Sequence, residues 1–194
     1  MIKEGVLRKA RESAELSLAF FESHAGALEA CVRALAERFE RGGRLLTMGN
    51  GGSACDARHV AVEFSHPIVE KRRALPAYAL GDSVALISAI GNDGDFSRVF
   101  VEEIELLARP HDALLGISTS GASSNVNRGL RRGRELGLLT IGFSGRDGGA
   151  MTAFCEHAFV VPSWSTHRIQ EVHTMLLHLL WDSLHVAQGE QDVL

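Results

Sequence analysis

Apolar residues recur at three- and four-residue steps through the first 40 positions. Leu28, Val32, Leu35 and Phe39 form such a stripe, which predicts a helix with one buried face. Leu16 to Phe21 is also rich in apolar residues, more than one small sheet requires. That surplus predicts one long helix or a pair, packed against another subunit or folded back as a hairpin on its own domain. After Gly42 and Gly43 the pattern shifts. Arg44–Met48 reads as a short strand, followed by the turn Gly49-Asn50-Gly51-Gly52, and Ser53 is the expected N-cap of a helix to about Ser65. A strand at Ala77–Leu80 precedes helices from about Ser83 and from about Phe96 to Leu107. Asp112–Ile117 is a strand, then Ser118-Thr119-Ser120-Gly121 leads into a helix through Glu135. Leu138–Phe143 and His157–Val161 are strands with a turn at Gly145–Gly149 between them. Thr166 to about Val186 is the last helix. Strands alternating with helices predict an α/β fold, a parallel sheet covered on both faces. No linker, repeat or low-complexity stretch divides residues 1–194, so one domain is expected, with about 1–41 as its N-terminal helical segment.

Composition narrows the function classes. The 194 residues are 45% hydrophobic and 23% charged, with a net charge of −4, an ordinary globular balance. Arg128, Arg131, Arg132 and Arg134 form the densest basic cluster. They alternate with apolar positions on a predicted helix and read as a solvated face, so no nucleic-acid partner is expected. No apolar run approaches the roughly 18 residues of a membrane span, and the charged N-terminus lacks the apolar core of a secretory signal. Cys31, Cys55 and Cys155 make no paired framework, consistent with reduced thiols in a cytoplasm.

Two loops carry candidate chemistry. In open α/β sheets, ligands sit beyond the C-terminal ends of strands, where helix N-termini favour anions. Ser118, Thr119, Ser120 and Ser123, with Gly121 among them, follow a predicted strand and offer hydroxyl and amide donors to a phosphate; the plainer reading is a serine-rich turn. Asn50-Gly51-Gly52-Ser53 also follows a strand, and its glycines admit a ligand close to the backbone. Neither a GxGxxG run nor a P-loop lysine is present, so nucleotide binding by those routes has no support.

A third pattern lies on two predicted helices. His59 and Glu63, four residues apart, share a face and can reach one ion. Cys55 lies a turn earlier on that stripe, but reads more simply as a buried thiol. The last helix carries Gln170, Glu171, His173, His178 and His185. Gln170 and His178 are eight residues apart, about 80° around the helix, and share a broad face. His173 points elsewhere, and His185 lies near the stripe of His178. Spacing alone leaves ordinary core or surface histidines as the plainer reading.

Taken together, GNGGSACDARHVAVE (49–63), GND (91–93), ISTSGASSN (117–125) and RIQEVHTMLLH (168–178) resemble the bacterial phosphoheptose isomerases of the sugar isomerase (SIS) superfamily, in order along nearly the whole chain. The resemblance implies a five-stranded parallel sheet between helices, in a homotetramer with sites at subunit interfaces. It implies conversion of sedoheptulose 7-phosphate into D-glycero-D-manno-heptose 7-phosphate through an enediol. It places zinc on His59, Glu63, Gln170 and His178, sugar contacts at Asn50, Gly51, Gly52, Asn92 and Asp93, and the phosphate on Ser118, Thr119, Ser120 and Ser123. Ser53 belongs to the same substrate loop. Glu63 is nominated as the base and His178 as the partner acid. His167 stands where some relatives carry an acidic residue, and the basic segment His66–Leu75 is a candidate lid or interface loop. The rival reading is a non-enzymatic SIS protein that binds a sugar phosphate or a replication-initiation partner. His178, which one such relative does not keep, favours the enzyme.

Overall fold

A computed structural model describes residues 1–68 and 72–192. The chain opens with α1 (Ile2–Glu40), a single unbroken helix. It ends where Gly42 takes a left-handed turn at φ 80°. No residue before Phe20 is buried, whereas Leu28, Cys31, Val32, Leu35, Ala36 and Phe39 are. Most of what α1 commits to this chain's own core therefore lies in its second half, with Leu16 packed against that core from the first.

Five strands follow: β1 (Leu45–Gly49), β2 (Ala77–Ala79), β3 (Ala113–Ser118), β4 (Leu139–Gly145) and β5 (His157–Val161). All pairings are parallel, in the order β2-β1-β3-β4-β5. β1, β3 and β4 are buried along their whole length, which explains their near-continuous apolar runs, with Thr47 and Thr140 among the buried exceptions. Asp112 pins the register of β1 against β3. It is almost wholly buried, pairs with the Arg44 guanidinium at 2.7 Å, and accepts the Arg44 and Arg109 backbone N–H groups at 2.8 and 2.9 Å.

The helices are α2 (Gly52–Ser65), α3 (Val84–Asp93), α4 (Val99–Leu107), α5 (Ser124–Glu135) and α6 (Thr166–Ala187). One core joins α1, α2 and α6 to one face of the sheet; a second joins α4 and α5 to the other. The arginine cluster on α5 is solvated as expected, with Arg128, Arg131 and Arg132 paired to Asp95, Glu135 and Glu105. Residues 69–71 of the basic segment lie outside the described residues. Among the described residues, no helix is long and apolar enough to cross a membrane.

Two expectations need correction. Ser53 is buried within α2 and does not cap it; Gly51 does, at φ 56°. The carbonyls of Asn50 and Gly51 accept the N–H groups of Ser53 and Ala54, both at 3.0 Å, so the backbone closes the turn without a side chain. Cys55 is exposed rather than buried, because it lies off the face that α2 turns to the sheet.

Candidate active site

Both loops leave the sheet at the C-terminal ends of neighbouring strands, β1 and β3. Gly49 permits a close approach there: a Cβ would meet the Ser53 carbonyl oxygen at 2.4 Å. The second loop turns through Gly121 at φ 61°. Its backbone N–H donates to the Ser118 carbonyl at 2.9 Å, and its own carbonyl accepts from Asn127 Nδ2 at 3.0 Å and Met151 N at 3.1 Å. Ser123 stands at the N-cap of α5 without capping it; its hydroxyl meets that of Ser118 at 3.0 Å. The Val126 N–H is taken by Asn125 Oδ1 and the Asn127 N–H by the Ser123 carbonyl, which leaves the start of α5, beside the paired hydroxyls of Ser118 and Ser123, as a seat suited to an anion.

α6 crosses the start of α2 and aligns one face of each helix. Gln170 packs its amide over Gly52, where a Cβ would stand 2.2 Å from Nε2. Two turns along, His178 Nε2 lies 3.3 Å from His59 Nε2, and His59 Nε2 lies 3.3 Å from Glu63 Oε1. The ligand atoms of His59, Glu63 and His178 all fall within 4.8 Å of one another. For metal–ligand bonds of about 2.0–2.1 Å, a tetrahedron has edges of about 3.3–3.4 Å. Both closest separations match such an edge, and two imidazoles with a carboxylate are a donor set suited to a divalent cation. Two imidazole nitrogens facing at this distance also need a shared proton or a common cation between them.

Electrostatics favour neutral imidazole at this point. Partial burial and the neighbouring His59 push the His178 pKa below the ordinary histidine value, against an opposing pull from Glu63. One turn before His59, burial raises the Asp56 carboxyl while His59 lowers it. Asp56 shares α2 with His59 and Glu63, but it is not part of the ligand cluster.

The remaining candidates are placed less centrally. Asn92 and Asp93 end α3, are exposed, and bond to each other at 2.6 Å. Asp95, just beyond them, reaches Arg128 of α5 at 2.9 Å. His167 is exposed at the start of α6. His173 and His185 are fully buried: His173 Nε2 donates to the Ser144 carbonyl at 3.0 Å and His185 pairs with Glu190 at 3.1 Å. Cys55 is not part of the ligand cluster. Asn50 brings a partner that the sequence did not single out, Asn125 of α5, through reciprocal amide hydrogen bonds of 2.8 and 2.9 Å.

The SIS domain family model matches residues 10–145. A phosphoheptose isomerase of Aquifex aeolicus is 43% identical over 177 residues, covering 91% of this chain and 93% of that relative. The chain belongs to the phosphoheptose isomerases of the SIS domain family. Another member, from Solidesulfovibrio magneticus, is 46% identical and covers 87% of this chain and 82% of its own. The solved phosphoheptose isomerase of Neisseria gonorrhoeae superposes with a TM-score of 0.88 at 33% identity, covering 95% of this chain and 98% of that one. The Francisella tularensis enzyme gives 0.90 at 28% identity, covering 96% and 99%. The expected fold, five parallel strands between helices, is the observed one.

Proposed function

We propose that this enzyme converts sedoheptulose 7-phosphate into D-glycero-D-manno-heptose 7-phosphate, with the reacting end of the sugar held at His59, Glu63 and His178. The convergence of those three side chains carries the reading. Ser118, Thr119, Ser120 and Ser123 hold the phosphate, and Asn50, Gly51 and Gly52 line the sugar. Glu63 takes the proton from C1 and returns it at C2 by way of the enediol. In a state in which it does not ligate the metal, His178 is the partner acid that protonates or polarises the carbonyl oxygen at C2. The phosphate seat lies away from the chemistry, and its binding energy orients the reacting carbons.

Zinc is the ion that this donor set suits best, held by His59, Glu63, Gln170 and His178. When bound, it supplies Lewis-acid polarisation of the carbonyl. Glu63 has two carboxylate oxygens, of which Oε1 lies 3.3 Å from His59 Nε2; with Oε1 on the metal, Oε2 would be left to carry the proton. The test is conversion by purified protein, followed as appearance of the aldose. Chelation should abolish it and zinc should restore it. Full activity of metal-free protein would remove zinc from the scheme, and a metal-replete protein without turnover would refute the isomerase reading.

The assembly is read as a homotetramer of a cytoplasmic enzyme. A groove of about 780 Å³ between α1 and α6 is lined by Leu18, Phe21, Met175 and Leu179, against the half of α1 that its own core leaves mostly free. A second copy is its proposed occupant. α3 buries none of its residues despite an apolar sequence, so a neighbouring subunit packed there would carry Asn92 and Asp93 with it. Light scattering on the purified protein tests this reading, and a monomer would refute it.

A further inference from the structure

The first turn of α5 reaches both loops. Asn127 holds the Gly121 carbonyl, while Asn125 reaches across to Asn50, 75 positions earlier. The orientation of this amide pair is forced. The Val126 N–H donates to Asn125 Oδ1 at 2.9 Å, which fixes the carbonyl end of that side chain. Its Nδ2 must then donate to Asn50 Oδ1, at 2.9 Å, and the return bond from Asn50 Nδ2 to Asn125 Oδ1 is 2.8 Å. A flipped amide would set nitrogen against nitrogen. Asn125 is 3% exposed, so little water competes for these bonds.

The pairing of β1 with β3 ends at Gly49 opposite Ile117. Beyond that point, among the described residues, the side-chain hydrogen bonds between the two loops are those of this amide pair. Neither amide is an acid or a base, and Asn125 lies behind Asn50, buried under the loops. We propose that Asn125 is a positioning residue: through Asn50 it sets the span between the phosphate seat and the reacting end, and so the length of ketose phosphate the enzyme accepts. This rests on the isomerase reading above. A phosphate anchor orients the far end of a substrate only if the distance between the two is fixed, and a displacement of about 1 Å can cost about 100-fold in rate.

The test compares wild type with Asn125→Ala, Asn50→Ala, the double variant and Asn125→Asp. Each is assayed for kcat and KM with sedoheptulose 7-phosphate, for kcat/KM with fructose 6-phosphate, and for inhibition by inorganic phosphate. Either alanine variant should lower kcat by about 10- to 100-fold, with phosphate inhibition constants within about twofold of wild type. The double variant should be no worse than the weaker single one, because both remove the same tie. The preference for the seven-carbon substrate should shrink by about tenfold. Asn125→Asp keeps the acceptor for Val126 N and Asn50 Nδ2 but sets a carboxylate oxygen against Asn50 Oδ1 in a buried site, so it should lose kcat as Asn125→Ala does. If Asn125→Ala does not fold, Asn50→Ala and Asn125→Asp carry the comparison. Multiplying losses in the double variant, phosphate inhibition that weakens in step with kcat, or an unchanged chain-length preference would each overturn the proposal. Wild type inert towards sedoheptulose 7-phosphate would instead overturn the isomerase reading and this proposal with it.

Discussion

Gly52 is the first residue of α2, and a Cβ built there would stand 2.2 Å from Gln170 Nε2, 3.3 Å from its amide carbon and 3.5 Å from Oε1. Ordinary van der Waals contact begins at 3.4 Å, so the Gln170 amide must retreat by about 1 Å in a Gly52→Ala variant, a displacement that by itself can cost about 100-fold in rate. The obstructing atoms are the end of a flexible side chain, which can yield without moving the backbone. Gly52 also has helical geometry, where alanine is favoured over glycine by about 0.5–1 kcal/mol. Stability should therefore hold or rise slightly. Activity should not, because Gln170 loses its place over the sugar loop and beside the proposed metal. The expected fall in kcat/KM is about 100-fold, equivalent to about 2.7 kcal/mol of transition-state stabilisation. Steady-state kinetics on zinc-saturated protein, run beside thermal unfolding, separates the two effects. A Gly52→Ala enzyme with wild-type kcat/KM would show that the position of Gln170 does not matter. One that loses stability and activity together would show that the side chain cannot yield as argued.

Gly121→Ala should behave differently: φ is +61° and the new Cβ would lie 1.9 Å from the Gly148 carbonyl oxygen, which is backbone. Left-handed strain of about 1–2 kcal/mol adds to that clash, so both Tm and inhibition by inorganic phosphate should weaken, and an unchanged Tm would contradict the packing described. Burial holds the His173 pKa down to about 4, from an ordinary 6.5, despite its bond to Ser144. The unfolded chain then binds the extra proton first, so stability is complete above about pH 6.5 and falls on acidification towards pH 4, by on the order of 3 kcal/mol. Urea titrations across that window should show the slope in wild type and a shallower one in His173→Leu; equal slopes would refute the assignment. Leu179→Glu places a charge in the groove between α1 and α6 and should reduce the proposed homotetramer to smaller species by light scattering; an unchanged mass would refute that interface.

The sequence made the layered fold legible because its strands are buried on both faces and its helices carry apolar stripes. β1, β3 and β4 read as mostly apolar runs, interrupted by Thr47 and Thr140, and Phe20 through Phe39 kept a helical period. Local capping was less legible: Ser53 has the right side chain for an N-cap, but a glycine at positive φ placed the cap two residues earlier. Spacing alone put His59 with Glu63, yet only the packing of α2 against α6 brings His178 to them, while Gln170 lies over Gly52. The Asn50–Asn125 tie links positions 75 apart, and no local periodicity encodes it. The available signal is the amide of Asn125 beside the apolar Val126 in the first turn of α5, both of them buried.

The central claim is that Glu63 moves the proton between C1 and C2. Zinc-replete wild type and Glu63→Gln should be assayed side by side with saturating sedoheptulose 7-phosphate, with inhibition by inorganic phosphate confirming that the phosphate seat is intact in both. Removal of the general base should lower kcat by about 10²–10⁴-fold while phosphate inhibition stays the same. Turnover by Glu63→Gln at the wild-type rate would contradict the account.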